Sequence, residues 1–290
     1  MRLNNSILLI IPALIWGSTW LVIKFQLGVV DPMVSVGYRF FLAGLLLLGY
    51  CKLRNISLEF TRREHVLMAI QGFLLFSNNY WLVYVAEIYL TSGLVAVGFS
   101  TLIFFNIFLA AIFLKQKVSK RVFFGALCGL LGTAIIYKPE LEVLSFADDS
   151  FKGLVYCFLG VLFASSGNVM SAFNQQKKLP VIQTNAFGMF YGAIYMLVIG
   201  AISGKPFVFD TSLPYVVSLF YLTIFGSIIA FTSYLTLIGR VGAGKGAYVI
   251  LSVPIVAIFL SVLFEGYHLT WYSIIGISLI VGGNVFALKK

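Results

Sequence analysis

Two tryptophans and a lysine recur at four-residue intervals within the apolar stretch 7–27: Trp16, Trp20 and Lys24. Residues four apart share one face of an α-helix, so this spacing predicts a single stripe. Indole rings can wall a pocket for an apolar or cationic ligand, and a charge within an apolar helix is a functional candidate because its burial is costly. Two alternatives stay open: tight helix packing of Trp16 beside Gly17, and a Lys24 side chain that extends to the aqueous boundary.

Candidates for a gate are four charged residues in or beside the first three apolar stretches: Lys24, Asp31, Arg39 and Glu87. We predict that one of the two basic residues pairs with one of the two acids, and that this pair opens and closes an entrance. The alternative is a structural ion pair that only holds the first three helices together. Arg39 lies about 10 Å along its helix at 1.5 Å per residue.

Amides, hydroxyls and rings inside other apolar stretches are candidates for substrate contact. Asn78 and Trp81 are three residues apart and share a helix face, and an amide that faced lipid would be costly. Hydrogen bonding between helices is the alternative role for all such residues. The further candidates for the lining of a polar cavity are Ser100, Asn106, Asn168, Ser227, Tyr234, Tyr248 and Ser252.

The elements that carry these residues are predicted membrane spans. The 290-residue chain is 60% hydrophobic and 10% charged, with a mean hydropathy of +1.00, whereas soluble domains carry about 25% charged residues. Its apolar runs are continuous rather than alternating, which favours helices over a barrel. We predict an all-α membrane protein with ten spans, at residues 7–27, 33–51, 66–85, 92–114, 122–137, 153–173, 184–202, 214–236, 246–264 and 271–288.

The distribution of charge predicts the orientation. With the N-terminus in the cytoplasm, fifteen of the twenty basic residues fall on the cytoplasmic side, and three fall outside. Lysine and arginine are enriched in cytoplasmic loops, so both termini are predicted to be cytoplasmic and the membrane to be the inner (plasma) membrane. The net charge of +10 is then a topology signal, and no nucleic-acid partner is expected.

The two halves of the chain resemble each other at an offset of roughly 150 residues. Gly93-Leu94-Val95-Ala96 and Gly246-Ala247-Tyr248-Val249 each precede an apolar stretch and a glycine-rich one. Five spans per half is an odd number, so the second half must enter the membrane upside down. The sequence therefore predicts two inverted five-helix repeats, residues 1–145 and 146–290.

Three groups of segments carry a resemblance to a known family: Trp16–Trp20 with Lys24, Asp31-Pro32 with Arg39–Gly44, and the glycine-rich stretch 125–132 with its counterpart 276–282. Through them the whole chain resembles the drug/metabolite transporter superfamily, and specifically its EamA-like branch. The resemblance implies ten helices around a central cavity lined mainly by spans 1, 3, 4, 6, 8 and 9. It also implies transport of small metabolites, often amino acids.

One position departs from the family pattern. Many relatives carry an acid after the fourth span, where this chain has Lys115, and only the second half keeps an acid, Glu265. We therefore assign that acid no coupling role.

The predicted function is secondary transport of a small metabolite, an amino acid or similar zwitterion, by alternating access. The alternative substrates are cationic or aromatic drugs and quaternary amines; a channel, a scramblase and a membrane-embedded enzyme are alternatives of another class. An enzyme is disfavoured because His65 and His268 lie on opposite predicted faces and cannot share a metal, so no metal or cofactor is expected. The expected partners are the substrate and the bilayer, with the chain a monomer or a homodimer.

Overall fold

The computed structural model of the protein describes residues 4–117, 119–142, 149–264 and 270–288. All regular structure in these ranges is helical, with fifteen α-helices and two π-helical segments. The α-helices are α1 Asn5–Lys24, α2 Pro32–Leu53, α3 Arg62–Gln71, α4 Asn79–Tyr89, α5 Ser92–Ser100, α6 Leu102–Leu114, α7 Lys120–Ile136, α8 Lys138–Glu142, α9 Ser150–Gln176, α10 Val181–Ile202, α11 Leu213–Tyr221, α12 Ala230–Val241, α13 Ala243–Gly246, α14 Tyr248–Phe264 and α15 Trp271–Leu288.

Eight helical stretches among the described residues are long and apolar enough to cross a membrane: Asn5–Lys24, Pro32–Leu53, Arg62–Tyr89, Ser92–Leu114, Ser150–Gln176, Val181–Ile202, Leu213–Val241 and Ala243–Leu260. The predicted fifth and tenth spans fall on α7 and α15, which have 17 and 18 residues. The all-α, multi-pass architecture is confirmed, while the count of ten spans stays a prediction.

Two of the long helices contain a π-helical segment, Gly72–Asn78 between α3 and α4 and Leu222–Ile229 between α11 and α12. A π-helix bonds to the fifth residue along, which widens the turn and frees backbone carbonyls. Side chains use these carbonyls: the Asn78 amide donates to the Phe73 carbonyl (2.9 Å), and the Ser227 hydroxyl donates to the carbonyl five residues earlier (2.9 Å). The two segments begin 150 residues apart, the offset of the predicted repeat.

The glycine-rich stretches bring α7 and α15 into backbone contact. A Cβ on Gly132 would lie 2.6 Å from the Gly276 carbonyl oxygen, and a Cβ on Gly125 would lie 2.6 Å from that of Gly283. Only glycine allows such an approach between helices. These glycines therefore serve packing within the chain.

Asp31 starts α2 by two means. Its side chain accepts a hydrogen bond from the Met33 amide at 2.9 Å, which satisfies a free N–H at the helix start. Pro32 follows at the first helical position, where its missing N–H costs nothing.

Two large hydrophobic clusters flank the centre of the helical array. One includes Phe40, Phe76 and Phe231, and the other includes Val95 and Leu251. Trp20 and Ile250 pack against both clusters. The surface where the clusters meet contains the cavity described next.

Candidate functional site

A cavity of about 60 Å³ lies between the two halves of the chain. Its walls come from the π-helical segment Gly72–Asn78 and from α1, α4, α5, α6, α9, α12 and α14, which lie in the predicted spans 1, 3, 4, 6, 8 and 9. We call it the central cavity. The lining residues are Trp16, Thr19, Trp20, Ile23, Leu75, Asn79, Tyr80, Val83, Ala96, Phe99, Leu102, Ala164, Asn168, Phe231, Tyr234, Ile250, Val253 and Pro254.

Aromatic rings in edge-to-face contact form much of this wall. The Trp16 ring centroid lies 5.1 Å from that of Phe231 and 5.0 Å from that of Tyr234, and Trp20 lies 5.6 Å from Phe99. Such contacts add to the stability of buried rings and fix their orientation. The cavity is therefore a closely packed, largely apolar chamber that suits an apolar group.

Three polar atoms in the lining are buried and have no hydrogen-bond partner: Trp20 Nε1, Asn79 Oδ1 and Asn168 Oδ1. Trp20 offers a donor, and the two amide oxygens offer acceptors. Buried polar groups are normally paired, and each exception calls for an explanation. A ligand that carries both donors and acceptors would pair all three atoms.

Hydrogen bonds to the backbone determine which amide atom of each asparagine is free. Asn79 Nδ2 donates to the Leu75 carbonyl at 3.3 Å, which leaves the Asn79 oxygen unpaired. Asn106 Nδ2 donates to the Ala243 carbonyl at 3.2 Å, so its oxygen accepts from Asn168 Nδ2 at 3.4 Å. The Asn168 oxygen is left free by this chain of bonds. Both free atoms are acceptors because carbonyl groups hold the nitrogens.

Four of the predicted substrate-binding residues line the central cavity: Trp16, Trp20, Asn168 and Tyr234. The Trp16 indole donates to the Gly226 carbonyl at 3.2 Å, so its N–H is already used within the fold. The Tyr234 hydroxyl accepts from Asn168 Nδ2 at 3.1 Å and orients that amide. Trp20 and Asn168 are thus the members of this set with a polar atom free for a ligand.

The other seven predicted residues lie outside the lining: Asn78, Trp81, Ser100, Asn106, Ser227, Tyr248 and Ser252. Ser100 and Ser252 donate to the carbonyls four residues before them. The Tyr248 hydroxyl donates to the Val122 carbonyl at 2.6 Å and so joins α14 to α7. Asn106 supports the cavity indirectly, because it holds Asn168 in place.

Asn79, rather than its neighbour Asn78, lines the central cavity. An α-helical pattern across this span placed Asn78 and Trp81 on the inner face. The π-helical turn of Gly72–Asn78 has more residues per turn than an α-helix and shifts the phase. Tyr80 also lines the cavity and was missed in the sequence. The polar run of Ser77, Asn78 and Asn79 indicates in the sequence that this region is near the cavity. It does not indicate which of the three side chains faces the cavity.

A second, larger cavity of about 670 Å³ contains most of the predicted gate residues. We call it the charged cavity; its lining is Lys24, Leu27, Gly28, Val29, Val30, Asp31, Pro32, Glu87, Ile88, Lys205 and Pro206. Lys205 and Asp31 form an ion pair of 3.0 Å. The sequence did not single out Lys205, which lies in a loop 174 positions after its partner.

Arg39 lies apart from the other predicted gate residues. Its side chain is fully buried, and its Nε donates to the Ser227 hydroxyl at 2.9 Å while Nη1 donates to the Tyr84 hydroxyl at 3.4 Å. Its guanidinium carbon lies 4.5 Å from the centroid of the Tyr80 ring. Among the described residues Arg39 forms no ion pair. The predicted pairing with Asp31 or Glu87 is replaced by bonds that join α2 to α4 and to the second π-helical segment.

The two histidines of the chain, His65 and His268, were considered as possible metal ligands. His65 Nδ1 is hydrogen-bonded to the Tyr191 hydroxyl at 2.9 Å, whereas His268 and Glu265 lie outside the described residues. The described part of the chain has no group of three or more potential metal ligands.

The EamA-like transporter family model matches the chain twice, at residues 4–138 and 151–289. The chain belongs to this family. It is therefore a multi-pass membrane transporter, and the resemblance to the EamA-like branch is confirmed.

The chain also resembles individual proteins and one solved structure. The chain is 30% identical over 249 residues to the uncharacterized inner membrane transporter YedA of Escherichia coli K12, covering 85% of this chain and 78% of YedA. It is 23% identical over 286 residues to the protein PagO of Salmonella typhimurium, covering 97% and 92%. A crystal structure with 18% sequence identity matches 99% of this chain and 97% of its own with a TM-score of 0.80, which shows the fold.

Proposed function

We propose that this EamA-like transporter carries a small zwitterion, such as an amino acid with an apolar side chain, across the inner membrane by alternating access. The observation that carries the proposal is the trio of unpaired polar atoms in an aromatic cavity: Trp20 Nε1, Asn79 Oδ1 and Asn168 Oδ1. An ammonium group has only donors, and a carboxylate has only acceptors. A zwitterion therefore supplies a partner for all three atoms.

The arrangement assigns a place to each part of such a substrate. The ammonium group would donate to the oxygens of Asn79 and Asn168, which lie on α4 and α9. The carboxylate would accept from the Trp20 indole. The side chain would contact the rings of Phe99 and Phe231, whose burial favours an apolar group.

The size of the central cavity supports a mechanism with moving halves. Its 60 Å³ has room for about five water molecules at about 12 Å³ each, which is less than an amino acid needs. Binding therefore requires the walls to separate. The walls come from both halves of the chain, which would rock around the substrate as two inverted repeats.

The proposed topology has two repeats, residues 1–145 and 146–290, ten spans and two cytoplasmic termini. The two family matches and the two π-helical segments 150 residues apart support the duplication. The excess of lysine and arginine on one side supports the orientation. The printed description of YedA as an inner membrane transporter supports the location.

Quaternary amines and aromatic cations form the second candidate class. The aromatic wall around Trp16, Trp20, Tyr80 and Phe231 favours them, because ring faces attract cations in the absence of water. Such ligands would leave the Trp20 N–H without an acceptor. Competition between the two classes therefore decides which of them this cavity serves.

The test is uptake of radiolabelled L-leucine and L-phenylalanine into liposomes that contain the purified protein. We expect uptake that saturates and that unlabelled zwitterions inhibit more strongly than tetraethylammonium or the amino acid amides. Stronger inhibition by the amine set would favour the second class. Uptake that rises linearly with concentration would indicate a channel, and an absence of uptake of both amino acids would contradict the proposal.

A further inference from the structure

The charged cavity lies about one helical turn beyond the central cavity on two elements that line both cavities, α1 and α4. On α1, Trp20 lines the central cavity and Lys24 the charged one; on α4, Val83 and Glu87 do the same. Four residues advance a helix by about 6 Å. A molecule in the charged cavity is thus next to the entrance of the central cavity.

Glu87 is the unusual group in this second cavity. Its residue exposure is 7%, and both carboxylate oxygens are buried and have no hydrogen-bond partner. Among the described residues no ion pair within 4.0 Å includes Glu87. A buried carboxylate without a partner is costly, and ion pairs away from water are stronger than those in it. The position therefore suits a cationic group that arrives with a ligand.

Lys24 supplies the opposite charge across the same cavity. Its side chain is exposed and takes part in no ion pair within the described part of the chain. The two other charged residues of the lining, Asp31 and Lys205, neutralise each other at 3.0 Å. Lys24 on α1 and Glu87 on α4 are left as an amine and a carboxyl group that form no ion pair among the described residues.

We propose that the charged cavity is a second substrate site, in which Lys24 binds the carboxylate and Glu87 binds the ammonium group of a zwitterion before it passes to the central cavity. This inference rests on the proposed function and deepens it. The volume of about 670 Å³ has room for an amino acid. A purely cationic ligand would be repelled by Lys24, and a purely anionic ligand by Glu87, so the pair selects for zwitterions at the entrance.

The test is equilibrium binding of radiolabelled L-phenylalanine to the detergent-purified protein, with stoichiometry and affinity measured. The wild type should bind two molecules per chain, one in each cavity. Glu87→Gln and Lys24→Gln should each weaken one site about tenfold or more, the value of a hydrogen bond to a charged group. The control is Glu64→Gln, which removes a carboxylate at the start of α3. Glutamine can also form the capping box there, so this variant should bind phenylalanine as the wild type does.

An anionic probe separates loss of the charge from loss of the fold. N-acetyl-L-phenylalanine has no ammonium group, so it should bind more tightly to Glu87→Gln than to the wild type. A gain of this kind cannot come from a misfolded variant. Equal binding of this probe to the two proteins would overturn the proposal.

The stoichiometry separates the second site from the proposed function. One bound phenylalanine, lost in Asn168→Leu but unchanged in Glu87→Gln and Lys24→Gln, would overturn the second site and leave the central site standing. No binding of phenylalanine, leucine or any other zwitterion to the wild type would overturn both. Two sites, each abolished by its own variant, would support both.

Discussion

The two cavities differ in size, polarity and the state of their polar groups. The central cavity measures about 60 Å³ and is largely aromatic, whereas the charged cavity measures about 670 Å³ and contains two lysines and two acids. In the former, the free polar atoms are uncharged and belong to Trp20, Asn79 and Asn168. Under the two proposals above, the charged cavity would attract and select substrates, and the close-packed central cavity would recognise them when the halves separate.

The largest effect is expected from Asn168→Leu, which removes an acceptor from the central cavity. It also takes a donor from Asn106 and Tyr234, which lie 3.4 and 3.1 Å from Asn168 Nδ2. The lost hydrogen bond to the ammonium group is worth about 1.5–3 kcal/mol, so uptake should fall by up to about 100-fold, and the unpaired Asn106 and Tyr234 should also lower the stability of the fold. Liposome uptake of L-phenylalanine measures this.

The matched control for that variant is Asn284→Ala. Asn284 also has a buried, unpaired amide oxygen and donates to Ser252 at 3.0 Å, but it lies outside the central cavity. The uptake of L-phenylalanine by Asn284→Ala should stay within about twofold of the wild type, as for substitutions away from a binding site. Equal losses of uptake in the two variants would contradict a specific role of the central cavity in substrate binding.

A smaller effect is expected from Trp20→Phe, which keeps an aromatic ring and removes one N–H group. The lost hydrogen bond to a carboxylate should raise the KM of phenylalanine about tenfold, at 1.5–3 kcal/mol for a bond to a charged group. The control is Trp16→Phe, because its N–H donates to Gly226 and not to the cavity. That variant should lower thermal stability and change KM by less than Trp20→Phe does; the reverse order would contradict the assignment of the carboxylate to Trp20.

The smallest effect is expected at Asp31 in the charged cavity. Asp31→Asn removes the partner of Lys205 and keeps the helix cap, so unfolding free energy should fall by about 0.5 kcal/mol. Asp31→Ala also loses the helix cap, so its unfolding free energy should fall by about 1 kcal/mol more. Thermal unfolding in detergent at low and high salt measures both. Equal losses in the two variants would show that the cap contributes nothing.

The sequence predicts where the long helices lie, but it predicts poorly which side chains of a helix face the cavity. Long apolar runs and loop charges are one-dimensional signals, and the predicted spans overlap the helices of the described residues. Beside the first π-helical segment, Asn79 lines the cavity in place of Asn78, and Ser227, which lies in the second segment, is outside the lining. No local pattern indicates such turns reliably, because they depend on packing between helices.

Charge pairing was equally hard to predict. Arg39 was one of two basic residues, with Lys24, considered for pairing with an acid, but hydroxyls and rings surround its fully buried side chain. The partner of Asp31 is Lys205, in a loop that the sequence places far away. Long-range contacts of this kind come from the arrangement of the helices, which a single sequence does not contain.

The most direct test of the central site compares two adjacent asparagines. L-phenylalanine binding to detergent-purified Asn79→Ala and Asn78→Ala would be measured by equilibrium dialysis. We expect Asn79→Ala to weaken phenylalanine binding at the central site about tenfold, because the ammonium group loses an acceptor. The Asn78 amide bonds to its own helix, so Asn78→Ala should leave the affinity of the central site within about twofold of the wild type. Loss of binding in Asn78→Ala with wild-type affinity in Asn79→Ala would contradict the account.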